Sequence, residues 1–136
     1  MLANGATLEY REPGTEAWTE LEGLKEIPDL GVEAEKVDDT DLKSKNKKYE
    51  MGIGDVGDMK YIFRYDNESP TSAHRVMRTA QTENKTLEFR ETLNDGSVTT
   101  FMAQPSVKRT GGGVNGTVNT ELSLAVQSDF EYEDPK

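Results

Sequence analysis

Apolar residues recurring at every second position predict a mainly β domain: a β-sandwich or barrel-like sheet with one flanking α-helix and a long polar loop. Three observations carry this. Most apolar segments alternate with period two, one stretch is spaced for a helix instead, and residues 28–57 hold no core pattern.

The elements follow in order. Leu8 and Tyr10 alternate with Thr7, Glu9 and Arg11 in a first strand, and Pro13-Gly14-Thr15 makes a turn. Residues 18–27 read as a second strand, interrupted near Gly23 and ended by Pro28. Met59, Tyr61, Phe63 and Tyr65 share one face of a third. Ala73, Val76, Met77 and Ala80 then fall at i, i+3, i+4 and i+7, a helical stripe. With Ser69 as cap and Pro70 in the first turn, the spacing predicts a helix over 70–81, stopped by Asn84. His74, Arg75, Arg78 and Gln81 make its polar face, so His74 is expected to meet solvent. Leu87, Phe89 and Leu93 mark another strand, and Asn94-Asp95-Gly96 is a hairpin turn. The return strand covers about 97–108, bent at Pro105. After Gly111-Gly112-Gly113, Val118, Leu122, Leu124 and Val126 face one way in the last strand, and Thr117, Asn119, Glu121 and Ser123 the other.

The chain has 136 residues, room for one domain with a modest core at about 7–126. It is 33% hydrophobic and 31% charged, so it either stays partly disordered or completes its burial by assembling. It contains no cysteine, which excludes disulfides and cysteine-based metal sites. No apolar run approaches the roughly 20 residues of a membrane-crossing helix. Residues 1–5 have neither a basic region nor an apolar core, so no secretion signal is read and a cytoplasmic origin is expected.

Net charge is −10, the wrong sign for a nucleic-acid clamp. Its distribution says more. Residues 1–41 carry a net of −9, 42–48 a net of +4 from four lysines, 49–110 a net of −1, and 111–136 a net of −4. The basic stretch between acidic flanks is either a solvated loop or a docking element for another copy of the chain. The acidic tail, 127–136, carries Phe130 and Tyr132, two aromatics that a free tail has no reason to expose; they are candidate terminal contacts.

Chemical motifs are weak. Gly52-Ile53-Gly54-Asp55-Val56-Gly57 matches the dinucleotide-binding spacing, but that chemistry needs a helix opening directly after it, and here a strand is predicted. Asp38-Asp39-Thr40-Asp41 lacks the remaining ligands, central glycine and closing glutamate of a calcium loop. A single histidine and no cysteine leave no Cys–His pair and no multi-histidine site. The three Asn-x-Ser/Thr triplets carry no meaning without export. No cofactor, metal or catalytic group is expected.

The ordered series of short features resembles the major tail tube proteins of phages with long non-contractile tails. It runs from Trp18-Thr19-Glu20-Leu21 to Ile27-Pro28-Asp29-Leu30-Gly31, then to acidic Val37-Asp38-Asp39-Thr40 and a polar loop ending at Tyr49-Glu50-Met51-Gly52. Gly57 then leads an aromatic strand to Phe63-Arg64-Tyr65, the helix follows, and a hairpin leads to Gly113-Val114-Asn115 and the last strand. The likeness spans about residues 7–126. Ser128-Asp129-Phe130 stands where a Ser-Gly turn is common in that family, and the acidic tail is extra.

The resemblance implies a structural virion protein that assembles into stacked hexameric rings, built in the host bacterial cytoplasm, with DNA passing unbound through the lumen. Its partners would be its own copies, the tape measure, the tail terminator and the tail tip, with no membrane. Residues 38–57 would form the inter-subunit loop, with Asp38, Asp39, Thr40, Leu42, Lys43, Lys45, Lys47, Lys48 and Tyr49 as contacts. Three other readings compete. One is the tube of a bacterial secretion or injection machine, similar in fold. Another is a monomeric β-sandwich binding module, which would want aromatics in a groove where Trp18 is the only Trp. The last is a small β-barrel enzyme, for which no catalytic group presents itself.

Overall fold

The computed structural model describes residues 4–31, 36–38, 49–51, 58–114 and 116–135. Its elements are β1 (Thr7–Arg11), β2 (Thr19–Glu20), β3 (Leu24–Glu26), β4 (Lys36–Asp38), β5 (Tyr49–Met51), β6 (Asp58–Arg64), α1 (Ala73–Thr82), β7 (Leu87–Thr92), β8 (Val98–Thr110), β9 (Asn119–Val126) and β10 (Glu131–Glu133). The fold is mainly β with one helix, as the alternation predicts.

The expected second strand is two strands serving opposite ends of one sheet. β2 pairs β1, with Glu9 opposite Glu20, while β3 pairs β6, with Leu24 opposite Phe63. Between them lie only Leu21, Glu22 and Gly23. Leu21 N–H donates to the Leu8 carbonyl at 2.9 Å, and Arg64 N–H donates to the Gly23 carbonyl at 2.8 Å. Gly23 makes the corner with φ +89°, a conformation that L side chains rarely adopt.

The sheet runs β2-β1-β7-β8-β9-β6-β3, so this short crossing brings its two ends together and the strands between must curl. A second contact shows the curl independently. Tyr61 on β6 donates its hydroxyl to Glu91 Oε2 on β7 at 2.7 Å. These strands are three steps apart, about 14 Å in a flat sheet. The interior so formed holds Leu8, Leu21, Met59, Tyr61, Phe63, Leu87, Phe89, Phe101, Ala103, Leu122 and Leu124, with Met77 and Ala80 from the helix. Phe89 lies opposite Phe101 in register, their rings 5.9 Å apart.

The helix starts later than the caps predict. Ser69 and Ser72 form a turn, Ser69 N–H donating to Ser72 Oγ at 3.1 Å, and Ser72 rather than Ser69 precedes the first turn. Asn84 does stop it, at φ +53°. Asn84 N–H donates to the Gln81 carbonyl and Lys85 N–H to that of Ala80, the paired bonds of a Schellman end. His74 corrects the sequence reading: it is 8% exposed and does not face solvent. The buried arc is centred on Met77, and His74, one ridge away at i−3, falls inside it. Val76, further round on the other side, is only half-buried.

Within residues 28–57, the described positions 36–38 and 49–51 form strands that the composition did not predict. β4 and β5 pair antiparallel as a separate two-stranded sheet, Val37 opposite Glu50 and Asp38 opposite Tyr49. Leu30 packs against the main core. At the other end of the chain, the acidic tail forms β10 on the first part of β8, Glu131 opposite Thr100. β9 pairs the rest, Val126 opposite Ala103. Four residues, 127–130, thus face two, 101 and 102, and the surplus makes a bulge that turns Phe130 edge-on to Phe101 at 5.4 Å.

Glu91 is 4% exposed, and burial holds its carboxyl above the ordinary range, although the Tyr61 bond pulls the other way. A carboxyl raised in the fold keeps its proton more tightly there than in the unfolded chain. Its contribution is therefore full below the unfolded value near 4.5 and is lost as pH rises through the folded value. Glu91→Gln removes that loss. Its stability relative to the parent, from urea midpoints, is expected to climb by about 1.4 kcal/mol per pH unit between those two values and then stay level. A parent that gains on the variant as pH rises would reverse the assignment.

Candidate assembly surfaces

Chemistry is sparse on this molecule. Among the described residues no three His, Asp or Glu side chains are grouped to hold a metal ion. Residues 52–57, the glycine-spaced motif, lie outside the described residues, but the strand β6 begins at Asp58, where the dinucleotide site needs a helix. His74 is tied to Thr120, its Nδ1 3.0 Å from Oγ1, with the Tyr65 ring edge-on at 5.0 Å. What the fold offers instead is surface.

The outer face of β1 and β7 carries crossed ion pairs. Register sets Glu9 opposite Arg90 and Arg11 opposite Glu88. Each pair is bidentate: Arg90 donates to Glu9 at 2.8 and 3.1 Å, and Arg11 to Glu88 at 2.9 and 3.0 Å. Trp18, half-buried, lies under both guanidiniums, 4.2 Å from Arg11 and 4.5 Å from Arg90. This face is internally neutralised.

At the distal end of β8 the balance differs. Past Ala103 the strand has no β7 partner, and its free edge is blunted. Pro105 has no N–H to offer, and Val107 N–H donates to Gln81 Oε1 of α1 at 2.9 Å. Beside this edge a groove of about 620 Å³ runs between α1 and β8, lined by Tyr65, His74, Arg78, Gln81, Thr82, Val107 and Arg109. Arg11, Arg90, Lys60 and Lys85 have carboxylate partners; among the described residues Arg78 and Arg109 have none, as is also true of Lys25, Arg64, Arg75 and Lys108. Burial, then the positive charges of Arg78 and Arg109, hold the His74 imidazole below its ordinary value.

The predicted contact residues divide. Asp38 and Tyr49 face each other across the β4–β5 pair. Asp39, Thr40, Leu42, Lys43, Lys45, Lys47 and Lys48 belong to the segment joining those strands and lie outside the described residues. Of the two tail aromatics, Phe130 is turned against the chain's own core, whereas Tyr132 is 62% exposed. The groove of Arg78 and Arg109 was missed, because its halves are 31 positions apart in sequence. The only signal was two arginines in an acidic chain with no acidic neighbour close by.

The model of the family described as "Phage tail tube, TTP, lambda-like" matches residues 1–133. The chain belongs to the lambda-like phage tail tube family. This tail tube protein is accordingly a structural component of a virion tail. No curated protein matches it in sequence. Its fold is similar to that of a chain in the tail of an empty gene transfer agent particle, solved with C6 symmetry: TM-score 0.73, 20% identity, covering 96% of this chain and 98% of that one. A chain in the native gene transfer agent virion gives a TM-score of 0.69 at 18% identity, covering 94% and 95%. One in the six-fold symmetrised baseplate of the anti-feeding prophage gives 0.64 at 11%, covering 100% and 97%.

In this tail tube protein the Trp18 clamp is expected to stiffen the outer face. Trp18→Ala should cost about 1–2 kcal/mol, two cation–π contacts at roughly 0.5–1 kcal/mol each. Thermal and urea unfolding measure it. An unchanged midpoint would mean that the crossed ion pairs hold without the indole.

Proposed function

We propose that this chain assembles, copy on copy, into hexameric rings that stack into the hollow tube of a phage tail. The family match over residues 1–133 carries the reading, and the six-fold symmetry of similarly folded chains in gene transfer agent tails supports the ring. The role is structural and not catalytic. Assembly takes place in the host bacterial cytoplasm, and the finished tube meets the tape measure, the tail terminator and the tail tip. DNA passes through the lumen without specific binding, which the net charge of −10 favours by repelling phosphate.

The segment between β4 and β5 is the proposed joint between neighbours. It rises from a paired stem and carries Lys43, Lys45, Lys47 and Lys48, a net of +4 in a chain whose first 41 residues carry −9. Each exposed pair contributes only about 0–1 kcal/mol, but the contact repeats around every ring. Purified protein at raised concentration should form rings or tubes in negative-stain micrographs. Replacing the four lysines with glutamate should abolish them while circular dichroism stays that of the folded parent. A quadruple variant that polymerises like the parent would remove this segment's charge from the joint.

A further inference from the structure

We propose that the groove between α1 and the distal half of β8 receives the acidic C-terminal strand of a second copy of this chain, Arg78 and Arg109 meeting the carboxylates of Glu131, Glu133 and Asp134. The proposal rests on the assembly reading above and names a contact within it.

The first argument is unmatched charge. Arg78 and Arg109 flank the groove without a carboxylate among the described residues, in a chain of net charge −10. Glu131, Glu133 and Asp134 are exposed and equally without a described cationic partner. Both sets are placed by β8: Glu131 on β10 is opposite Thr100, and Arg109, which lines the groove with Arg78 of α1, is nine residues further along β8. That separation is about 30 Å, so one copy cannot satisfy itself. Two copies can.

Strand geometry agrees with charge. Alternation sets Glu131 and Glu133 on one face of β10, while Tyr132 lies on the other beside Phe130, the rings 6.1 Å apart, so the two glutamates can meet the arginines together. The direction of the contact also matters. Opposite ends of the same strand meet, so the interface is head-to-tail, and such contacts close into rings or extend as filaments. The occupant stays docked on its own β8, since Glu131 and Glu133 already point outward.

The test uses the full chain under conditions where the parent forms rings or tubes. Arg78→Glu with Arg109→Glu should raise the concentration needed for assembly about tenfold or more, as each contact changes from attraction to repulsion. Glu131→Lys, Glu133→Lys and Asp134→Lys together should do the same. The chain carrying all five substitutions restores complementarity and should assemble again, a rescue that damage to folding cannot mimic. A second arm does not need assembly: a peptide of residues 127–136, added to the parent, should shift the ring resonances of His74, the single histidine and a groove wall. It should leave the Arg78→Glu, Arg109→Glu protein unshifted. Rings from the first variant at parental concentration, or a folded five-substitution chain that stays dispersed, would overturn the proposal. A parent that binds the peptide yet never assembles keeps the groove and removes the tube reading. A groove that binds inorganic phosphate but not the peptide is an anion site of another kind, and the proposal fails.

Discussion

Four peptide steps separate Glu20, on one end of the sheet, from Leu24, on the other, and an extended chain covers about 14 Å in that distance. Everything inside the molecule depends on this tether. With its ends held so close, the seven-strand path cannot lie flat, and one face of every strand is forced inward. The interior is then small and mostly apolar. Phe63, Phe89, Phe101 and Tyr61 fill most of it, and where β6 and β7 approach across the cavity a carboxylate is trapped with a phenol. Tyr61 gives Glu91 its hydrogen bond; without a donor there, burial of a polar group would cost roughly 1–3 kcal/mol.

Closure also decides what remains outside. Two strand ends are spent on the tether, and the free edge on the distal part of β8 is stopped by a proline and a glutamine side chain. Strand addition at that edge is therefore opposed. On the outer face of β1 and β7 the charges neutralise one another across the register. The contact proposed above between the groove and the acidic strand uses charge that is not matched in place, at the two ends of β8.

Much of this was legible in the sequence. Period-two alternation identified β6, β7 and β9 with their inward faces, the Asn94-Asp95-Gly96 turn led to β8, and Asn84 marked a true helix stop. Other features were not legible. The strand read at 18–27 and its interruption near Gly23 became β2 and β3, but nothing in the sequence said that they serve opposite ends of the sheet. The three-residue strands β4 and β5 carry no period to detect. Angular position outranks hydrophobicity on a helix, so His74 is buried by its place beside Met77. Glu91 had a signal that could have been used: it falls on the same period-two face as Leu87 and Phe89, where a carboxylate must find a partner. The cationic groove had almost none, since topology alone brings Arg78 to Arg109.

A tube of stacked rings sets a requirement that a simple dimer does not. Each copy needs one head-to-tail contact that closes the ring and another, on different surface, that joins ring to ring. A chain of net charge −10 is repelled by its own copies at long range, and at physiological salt that repulsion fades over about 8 Å. Both contacts must therefore be local and complementary. The two contacts proposed above would meet that requirement on separate surfaces. The cationic groove and the acidic strand lie at opposite ends of β8, which pairs with β7, β9 and β10, so the sheet holds their spacing. The lysines lie instead between β4 and β5, which pair in a separate two-stranded sheet. On that proposal one contact would rest on the main sheet and the other outside it, and a ring could hold one geometry while the joint between rings is set on its own.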